Sequence, residues 1–289
     1  MARSKKPSPV LAALGVIVLG ALAGFGAAML APSGASTASS GGASPGAWIA
    51  EIKKNGELRV ACADSPPTSK VEADGSCDGP VLLPFKELAE ALDVEFVNVG
   101  TTYQSIIAGL QAGKYDIAAN IDATMARTLA VRFTVPGWTY EGVFVIPRSA
   151  AETYPTAESI LIADAPVATA QGTSFDQALA LRDLLQEPVL LQTYQDAAQA
   201  MKAGRASSLF TDIGTATTYV ASDPDLCIVV PDPVIVTNSV VNGVSPNIDE
   251  HSLQTVNFAI EDSVNQGRFA AAMTESGYIA EDNLGSMSC

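Results

Sequence analysis

Hydrophobic and polar positions change their spacing several times in the first half of the chain. Short runs rich in β-forming residues predict three strands, and runs with apolar residues at helical spacing predict two helices between them. In chain order these segments are Glu57–Ala63, Pro84–Leu92, Val94–Val99, Tyr103–Gly113 and Tyr115–Asn120. A β-α-β-α-β order predicts a mainly parallel sheet that is covered by helices.

The same alternation begins again in the second half, after a long apolar run that predicts a strand at Tyr140–Arg148. No repeat of the sequence itself accompanies this repeat of the pattern. The predicted segments are the strands Ala165–Ala170, Pro188–Thr193 and Ala206–Asp212 and the helices Ser174–Gln186, Tyr194–Gly204, Thr255–Gly267 and Arg268–Gly277. Two sets of alternating strands and helices predict an α/β protein with two lobes.

The charge of the chain excludes nucleic acid as a main partner. The 289 residues carry a formal net charge of −15, and residues 1–46 contain three basic residues and no acid. The remaining body therefore has 13 basic against 31 acidic residues, a net charge of −18. Because binding to phosphates needs a basic stripe, nucleic acid would repel such a body.

The N-terminal segment predicts export from the cytoplasm. Three basic residues precede an uncharged run of 22 residues, 10–31, and small residues that fit a cleavage site follow it. The run is longer than a typical signal core and long enough to span a bilayer, so a cleaved signal peptide and an uncleaved anchor both remain open. The stretch rich in Ser, Gly and Ala that follows, up to residue 46, predicts a flexible linker.

Four cysteines in an exported chain favour two disulfides over free thiols. Of three conceivable sets of pairs we favour Cys62–Cys77 with Cys227–Cys289, because the first closes a short loop and the second ties down the C-terminus. The chain has one histidine, His251, and no CxxC motif, so a zinc site is not expected. We expect no other metal and no cofactor.

Motifs of catalysis and of nucleotide binding are weak in this sequence. The run Gly109–Tyr115 lacks the spacing and the hydroxyl of a phosphate loop, and no GxSxG motif is present. We expect His251 at the surface. One predicted helix start can bind an anion: Ser174 follows a Gly-Thr pair there, and with Gln177 it could form a capping box.

An ordered set of motifs covers most of the chain from Glu57 to Gly277. The motifs are LRVACADSPPT, PFKELAEAL, YQSIIAGLQAGKYDI, TMARTLAVRFTVPG, QGTS and SSLFTDIGTATTYV. In this order they resemble the bacterial extracellular solute-binding protein family 3, the polar amino-acid receptors of ABC transporters. The resemblance implies the type 2 fold of periplasmic binding proteins, in which two crossing strands join two lobes and the ligand lies between them. It implies lobe 1 at 47–142 and 239–289 and lobe 2 at 143–238.

The resemblance also implies which residues bind the ligand. We expect Arg127 to pair with the ligand's α-carboxylate, because a guanidinium can bind a carboxylate through two hydrogen bonds. Thr173 and Ser174 would add donors to the same carboxylate at a helix N-terminus. Asp212 would receive the ligand's ammonium, although it could be only a helix cap. Opposite charges on the two lobes would favour closure around a zwitterion.

Three further residues complete the candidate site. We expect Tyr103 to place an aromatic ring against the ligand's side chain, unless it is only a core residue. Asp64 could supply charge from the first loop, and Thr124 belongs to the T-x-x-R motif of Arg127. We expect Arg132 at the surface. The segment before Arg127 is one residue shorter than in the family, so the contacts that precede this arginine are not assigned.

These expectations describe an exported receptor that is not an enzyme. We expect it to capture an amino acid or a related zwitterion and to deliver it to the permease of an ABC transporter, as a monomer. One alternative is a dehydratase that acts on cyclohexadienyl acids such as arogenate, which would also use Arg127 and would need a general acid. Another alternative is a sensory module that is anchored in the membrane by residues 10–31.

Overall fold

The computed structural model describes residues 46–280 and 283–289 of the chain. The segment for which a signal peptide or an anchor is predicted, 10–31, lies outside these residues. Within the described part, no helix has the length and hydropathy that are needed to cross a membrane.

Strands and helices alternate along the described part of the chain, as the sequence pattern predicts. The strands are β1 Glu57–Ala63, β2 Lys70–Val71, β3 Cys77–Asp78, β4 Glu95–Thr101, β5 Ile117–Asp122, β6 Arg132–Phe133, β7 Trp138–Pro147, β8 Val167–Ala170, β9 Val189–Leu191, β10 Ser208–Asp212, β11 Leu226–Val229 and β12 Thr237–Val244. The α-helices are α1 Ala47–Asn55, α2 Leu83–Leu92, α3 Ile106–Gln111, α4 Met125–Thr128, α5 Ala157–Leu161, α6 Ser174–Ala180, α7 Tyr194–Lys202, α8 Ile213–Ser222, α9 Glu250–Asn265 and α10 Arg268–Glu275. Short 3₁₀ helices lie at Pro80–Leu82, Arg148–Ala150 and Gly285–Met287.

The first lobe is built on the strand order β4-β1-β5-β12. β1 pairs in parallel with β4 and β5, and β12 is antiparallel to β5 and β6. Successive residues of β1 join different clusters of buried side chains: Val60 and Cys62 belong to one cluster and Ala61 to the other. Side chains of α2 contribute to the first cluster and those of α3 to the second. The sheet is therefore buried on both faces, as expected for parallel strands.

The second lobe is built on the strand order β7-β10-β8-β9, and β11 pairs with the other edge of β7. β8 is parallel to β9 and β10, whereas β7 is antiparallel to β10 and β11. One large cluster of buried side chains forms the core of this lobe and includes Phe144, Phe175 and Phe210. The rings of Phe144 and Phe210 stack with their centroids 4.5 Å apart. Each lobe thus has a core of its own.

Two long strands, β7 and β12, connect the lobes. They pair with each other in antiparallel register over Trp138–Glu141 and Thr237–Val240. Beyond this pairing, β7 enters the sheet of the second lobe and β12 enters that of the first. The sheet order and these crossing strands confirm the predicted α/β fold. The predicted lobe boundaries, 142/143 and 238/239, fall within the two strands and stay a prediction.

The helix predicted at Ser174–Gln186 is shorter than expected. It ends at Ala180, where the side chain of Arg182 donates to the carbonyl of Ala178 at 2.7 Å. The following apolar residue, Leu181, is exposed instead of buried. The apolar spacing beyond Ala180 therefore does not mark a buried helical face.

Two helix starts also differ from the prediction. Ser174 does not cap α6 with Gln177; Thr173 is the N-cap, and its hydroxyl accepts from the N–H of Asp176 at 3.3 Å. The helix predicted from Thr255 begins five residues earlier, because Asp249 caps it there. Short polar side chains that can accept from backbone N–H groups decide both starts.

Both favoured disulfides, Cys62–Cys77 and Cys227–Cys289, are present. The second one fixes the end of the chain to the second lobe. Leu284 and Met287 pack on the core of that lobe, and Arg148 donates to carbonyls of the same tail. The last residues of the range 239–289 were expected on lobe 1 and lie on the second lobe, because the disulfide and these contacts hold them there.

Candidate functional site

A polar cleft lies between the two lobes. The carboxyl ends of parallel strands from both lobes meet at it: those of β1 and β5 from the first lobe and those of β8 and β10 from the second. Because α/β sheets bind their ligands at such strand ends, the cleft is the candidate site. The residues that line it are Ser65, Tyr103, Asn120, Asp122, Trp138, Tyr140, Thr173, Tyr194 and Asp212.

Asp212 stands at the end of β10 and lines the cleft. It is also the N-cap of α8, since its Oδ1 accepts from the N–H of Thr215 at 2.9 Å. From the first lobe, the hydroxyl of Ser65 approaches its Oδ2 to 3.5 Å. Burial raises the pKa of Asp212, the hydrogen bonds from Thr215 oppose that increase, and the charge of Asp122 adds to it. Asp212 is thus a helix cap and a cleft carboxylate at once.

A second carboxylate, Asp122, stands at the end of β5 in the first lobe and is 8% exposed. Its Oδ2 accepts from the hydroxyl of Ser174 at 2.6 Å and its Oδ1 from that of Tyr140 at 2.7 Å. Burial raises the pKa of Asp122, while these two hydroxyls and the charge of Arg127 oppose the increase. Since the charge of Asp122 also raises the pKa of Asp212, the two carboxylates repel each other across the cleft.

Arg127 is buried, with 6% of its surface exposed, but it is not one of the residues that line the cleft. Its guanidinium donates to two backbone carbonyls at 2.9 Å, that of Asp122 in the first lobe and that of Gly172 in the second. A guanidinium has five N–H donors, so further donors remain after these two bonds. Arg127 joins the lobes beside the cleft, and its expected role as a carboxylate clamp stays a prediction.

Thr173 lines the cleft, and Ser174 follows it at the start of α6. The hydroxyl of Thr173 donates to the carbonyl of Ala170 at 2.7 Å and caps the helix. The hydroxyl of Ser174 donates to Asp122. The two side chains that were expected to bind the ligand's carboxylate therefore make hydrogen bonds within the protein.

Four aromatic rings, those of Tyr103, Trp138, Tyr140 and Tyr194, form much of the cleft wall. The centroids of Trp138 and Tyr140 are 5.3 Å apart, and those of Tyr103 and Tyr194 are 6.1 Å apart. Burial raises the pKa of all three tyrosines, which are therefore neutral. Because the face of an aromatic ring attracts a cation, these walls and the two carboxylates favour a positively charged ligand.

Asn120 shapes the chain just before Asp122. It has a φ of 56°, a left-handed conformation that is uncommon for a residue other than glycine. Its N–H donates to the side chain of Asn242 at 3.1 Å, opposite an irregularity in the register of β12. Its own amide donates to the hydroxyls of Thr68 and Ser69. These bonds hold the end of β5, and with it the position of Asp122.

Besides Arg127 and Ser174, two further predicted site residues lie outside the cleft lining. Asp64 accepts from a backbone N–H of its own loop at 3.1 Å, and Thr124 caps α4 by accepting from the N–H of Arg127 at 3.4 Å. Arg132 pairs with Glu250 at 2.9 Å on the surface, as predicted. Over residues 46–280 and 283–289, no group of three or more metal-binding side chains could hold a metal ion.

Sequence reasoning missed Asp122 and three of the four rings. The available signal for Asp122 was its position two residues after a predicted strand, near the strand end where parallel sheets present their binding residues. The shortened segment before Arg127 prevented that assignment. Trp138 and Tyr140 lie on a crossing strand, and the predicted strand began too late to place Trp138 on it.

The chain belongs to the bacterial extracellular solute-binding proteins, family 3. Residues 58–275 match that family, a span that includes the whole cleft lining. A similar protein from Sinorhizobium fredii, described as a probable amino-acid ABC transporter periplasmic-binding protein, is 27% identical over 197 residues, 65% of this chain and 64% of that one. The match thus spans slightly less than two thirds of that relative. Membership of this family places the protein outside the cytoplasm.

Solved structures show the same fold. The arginine-bound form of truncated ArgBP from T. maritima is 28% identical, with a TM-score of 0.67 over 74% of this chain and 99% of that one. The ancestral amino acid-binding protein AncCDT-1, described as a precursor of cyclohexadienyl dehydratase, is 26% identical, with a TM-score of 0.69 over 78% of this chain and 98% of that one. These similarities confirm the type 2 fold of periplasmic binding proteins.

Proposed function

We propose that the protein captures an amino acid with a net positive charge between its two lobes. The observation that carries this proposal is the pair of Asp122 and Asp212, two buried carboxylates from opposite lobes whose charges repel each other. A cation between them would remove this repulsion and so favour the closed arrangement. The four aromatic rings of the cleft support the same ligand class.

Two relatives support this proposal. ArgBP, whose fold the chain shares, is described in an arginine-bound form. The relative from Sinorhizobium fredii is described as a probable amino-acid ABC transporter periplasmic-binding protein. We therefore propose arginine as the first ligand to test and the permease of an ABC transporter as the partner of a monomeric receptor.

Thermal unfolding with added ligand tests the proposed function. A ligand that binds only the folded protein, at 100 times its Kd, stabilises it by about 2.7 kcal/mol. L-Arginine should therefore raise the melting temperature, and L-glutamate, which carries the opposite net charge, should not. Stabilisation by glutamate alone, or by neither amino acid, would contradict the proposal.

The role of Arg127 needs a comparison of two ligands. Agmatine is arginine without its carboxylate, so only arginine can use a carboxylate clamp. If Arg127 binds the carboxylate, Arg127→Ala should weaken the binding of arginine by about 2–5 kcal/mol and the binding of agmatine by much less. An equal loss for both ligands in calorimetry would show that Arg127 acts only by joining the lobes through Gly172.

We propose binding without catalysis, although a dehydratase stands among the descendants of AncCDT-1. Of the two buried carboxylates with a raised pKa, Asp212 caps a helix through its Oδ1. This arrangement suits a group that stays in place and accepts hydrogen bonds. Incubation of the protein with arogenate or prephenate should yield no aromatic product; sustained product formation that Asp212→Asn abolishes would identify an enzyme instead.

A further inference from the structure

A closed set of hydrogen bonds connects both lobes and both crossing strands at Asp122. Asn238 on β12 lies opposite Tyr140 on β7 in the register of the two strands. Its Nδ2 donates to the hydroxyl of Ser174 at 2.7 Å and to that of Tyr140 at 3.2 Å. Each of these hydroxyls in turn bonds one oxygen of Asp122, at 2.6 and 2.7 Å. We call these four residues the Asp122 ring.

The chemistry of the groups fixes the direction of every bond in the Asp122 ring. An amide nitrogen can only donate, so both hydroxyls accept from Asn238 and direct their single protons at Asp122. If the amide of Asn238 were turned around, its oxygen would take both hydroxyl protons. The two oxygens of Asp122 would then face oxygens at 2.6 and 2.7 Å with no proton between them. The nitrogen of the Asn238 amide, and not its oxygen, therefore faces the two hydroxyls.

This direction favours the ionised form of Asp122. If Asp122 were protonated and donated to one of these hydroxyls, the proton of that hydroxyl would lose the carboxylate as its acceptor, and the amide nitrogen of Asn238 cannot replace it. Donation by the amide also strengthens the donation of each hydroxyl to the carboxylate. The other charged or titratable groups near Asp122 are Arg127, Asp212, Tyr103 and Tyr194. Of these, Arg127 brings a positive charge and also favours the ionised form.

We propose that Asn238 is a positioning residue that keeps Asp122 ionised and directed at the cleft, as the second carboxylate for the ligand's cation. A carboxylate has about four accepting positions. The two hydroxyls fill two of them and the backbone N–H of Ser174 also donates to Asp122, which leaves a position for a donor of a ligand in the cleft. Asn238 itself is not among the residues that line the cleft, so it acts through Ser174 and Tyr140.

The titration of Asp122 tests this proposal without any ligand. Carboxyl ¹³C NMR of the full chain gives the pH midpoint of this titration directly. The signal of Asp122 is assigned by its loss in Asp122→Asn. In Asn238→Leu the midpoint should lie about one pH unit higher, a tenfold change in proton affinity. Tyr140→Phe, which removes one donor and keeps the ring of the side chain, should shift it in the same direction. An unchanged or lower midpoint in these variants would overturn the proposal.

Asn98→Leu is the matched control for a purely structural effect. Asn98 also lies in a strand, β4, and its amide donates to the carbonyl of Cys77, but it has no bond to Asp122. The variant should leave the midpoint of Asp122 unchanged. A shift as large as that of Asn238→Leu would show that damage to any strand produces the effect, and would overturn the proposal.

A second measurement rests on the proposed function, since it needs arginine to bind. As the pH is lowered, the affinity for arginine should begin to fall about one pH unit earlier in Asn238→Leu than in the wild type. In the background Asp122→Asn, the same substitution should leave the pH profile unchanged. A loss of affinity by the same factor at every pH would overturn the role of Asn238. No binding of arginine to the wild type would instead contradict the proposed function, and the ligand-free titration would still decide the role of Asn238.

Discussion

Asp122 and Asp212 are both buried, and burial raises the pKa of both. The sequence suggested a site in which Arg127 on one lobe faces Asp212 on the other, and the cleft lining adds a second carboxylate, Asp122, on the first lobe. The resemblance to the family indicated Asp212, which caps α8 and lines the cleft. The partners of Arg127 could not be predicted from the sequence, because one of them, Gly172, is 45 residues away and belongs to the other lobe.

The raised pKa of Asp212 predicts opposite effects of Asp212→Asn on stability and on binding. An ionised buried carboxylate with a raised pKa costs stability above that pKa, and the cost disappears below the unfolded value of about 3.9. Near neutral pH the ligand-free variant should therefore be more stable by about 0.5–2 kcal/mol, and this gain should vanish near pH 4. Its affinity for arginine should fall by about 2–5 kcal/mol.

Denaturant unfolding at pH 7.5 and pH 4, together with calorimetry, checks both parts of this prediction. Asp223→Asn is the control, because a hydrogen bond from Lys202 lowers the pKa of Asp223 at the surface. Loss of the Asp223 carboxylate should not stabilise the protein at neutral pH. A destabilised Asp212→Asn at pH 7.5 would show that the carboxylate is better compensated than its burial indicates.

At the scale of elements, the turn between β8 and α6 brings the second lobe into close contact with the first. Gly172 in this turn has a φ of 79°, and a Cβ on it would lie 2.8 Å from the Cα of Gln104 in the first lobe. Its carbonyl also accepts a hydrogen bond from the guanidinium of Arg127. The closed arrangement therefore needs a glycine at this position, for its backbone conformation and for its lack of a side chain.

Gly172→Ala should weaken ligand binding by about tenfold or more, since 1.4 kcal/mol of strain in the closed arrangement corresponds to that factor. Gly204→Ala is a matched control: its φ is 72°, and a Cβ there would meet nothing within 4 Å. Both variants should lose about 1–2 kcal/mol of stability from the left-handed conformation. Only Gly172→Ala should lose affinity for arginine in calorimetry; an equal affinity of the two variants would contradict the close approach of the lobes.

The sequence predicted most elements and failed at some of their ends. Alternating apolar positions placed β1 correctly at Glu57–Ala63, because a strand buried in a sheet imposes its pattern directly. At the end of α6, Arg182 donates to the carbonyl of Ala178, and at the start of α9 Asp249 is the cap. Such single side-chain contacts leave little trace in the spacing of apolar residues.

At the scale of the whole molecule, each of the two lobes contains one disulfide. Cys62–Cys77 closes a loop of 15 residues in the first lobe, and Cys227–Cys289 closes one of 62 residues and ties the C-terminal tail to the second. The pairing could be chosen from the sequence by separation along the chain. The lobe on which the C-terminal tail lies could not be predicted from the sequence, because it depends on contacts such as those of Leu284 with the core of the second lobe.

The two disulfides should differ in their contribution to stability. In the chain-entropy description, a loop of 15 residues corresponds to about 3 kcal/mol and one of 62 residues to about 4 kcal/mol. The double substitution of Cys227 and Cys289 by serine should therefore lower the free energy of unfolding by about 1 kcal/mol more than that of Cys62 and Cys77. Denaturant unfolding of the two variants measures the difference; a larger loss from the short loop would contradict the prediction.

The central claim is that the two lobes close around a positively charged amino acid. Calorimetry with L-arginine and L-citrulline tests it most directly, because citrulline has nearly the same shape and replaces the guanidinium by a neutral group. With carboxylates on both sides of the cleft, arginine should bind at least about tenfold more tightly, and Asp122→Asn with Asp212→Asn should remove most of that preference. Equal affinity for the two ligands, or tighter binding of citrulline, would contradict the claim.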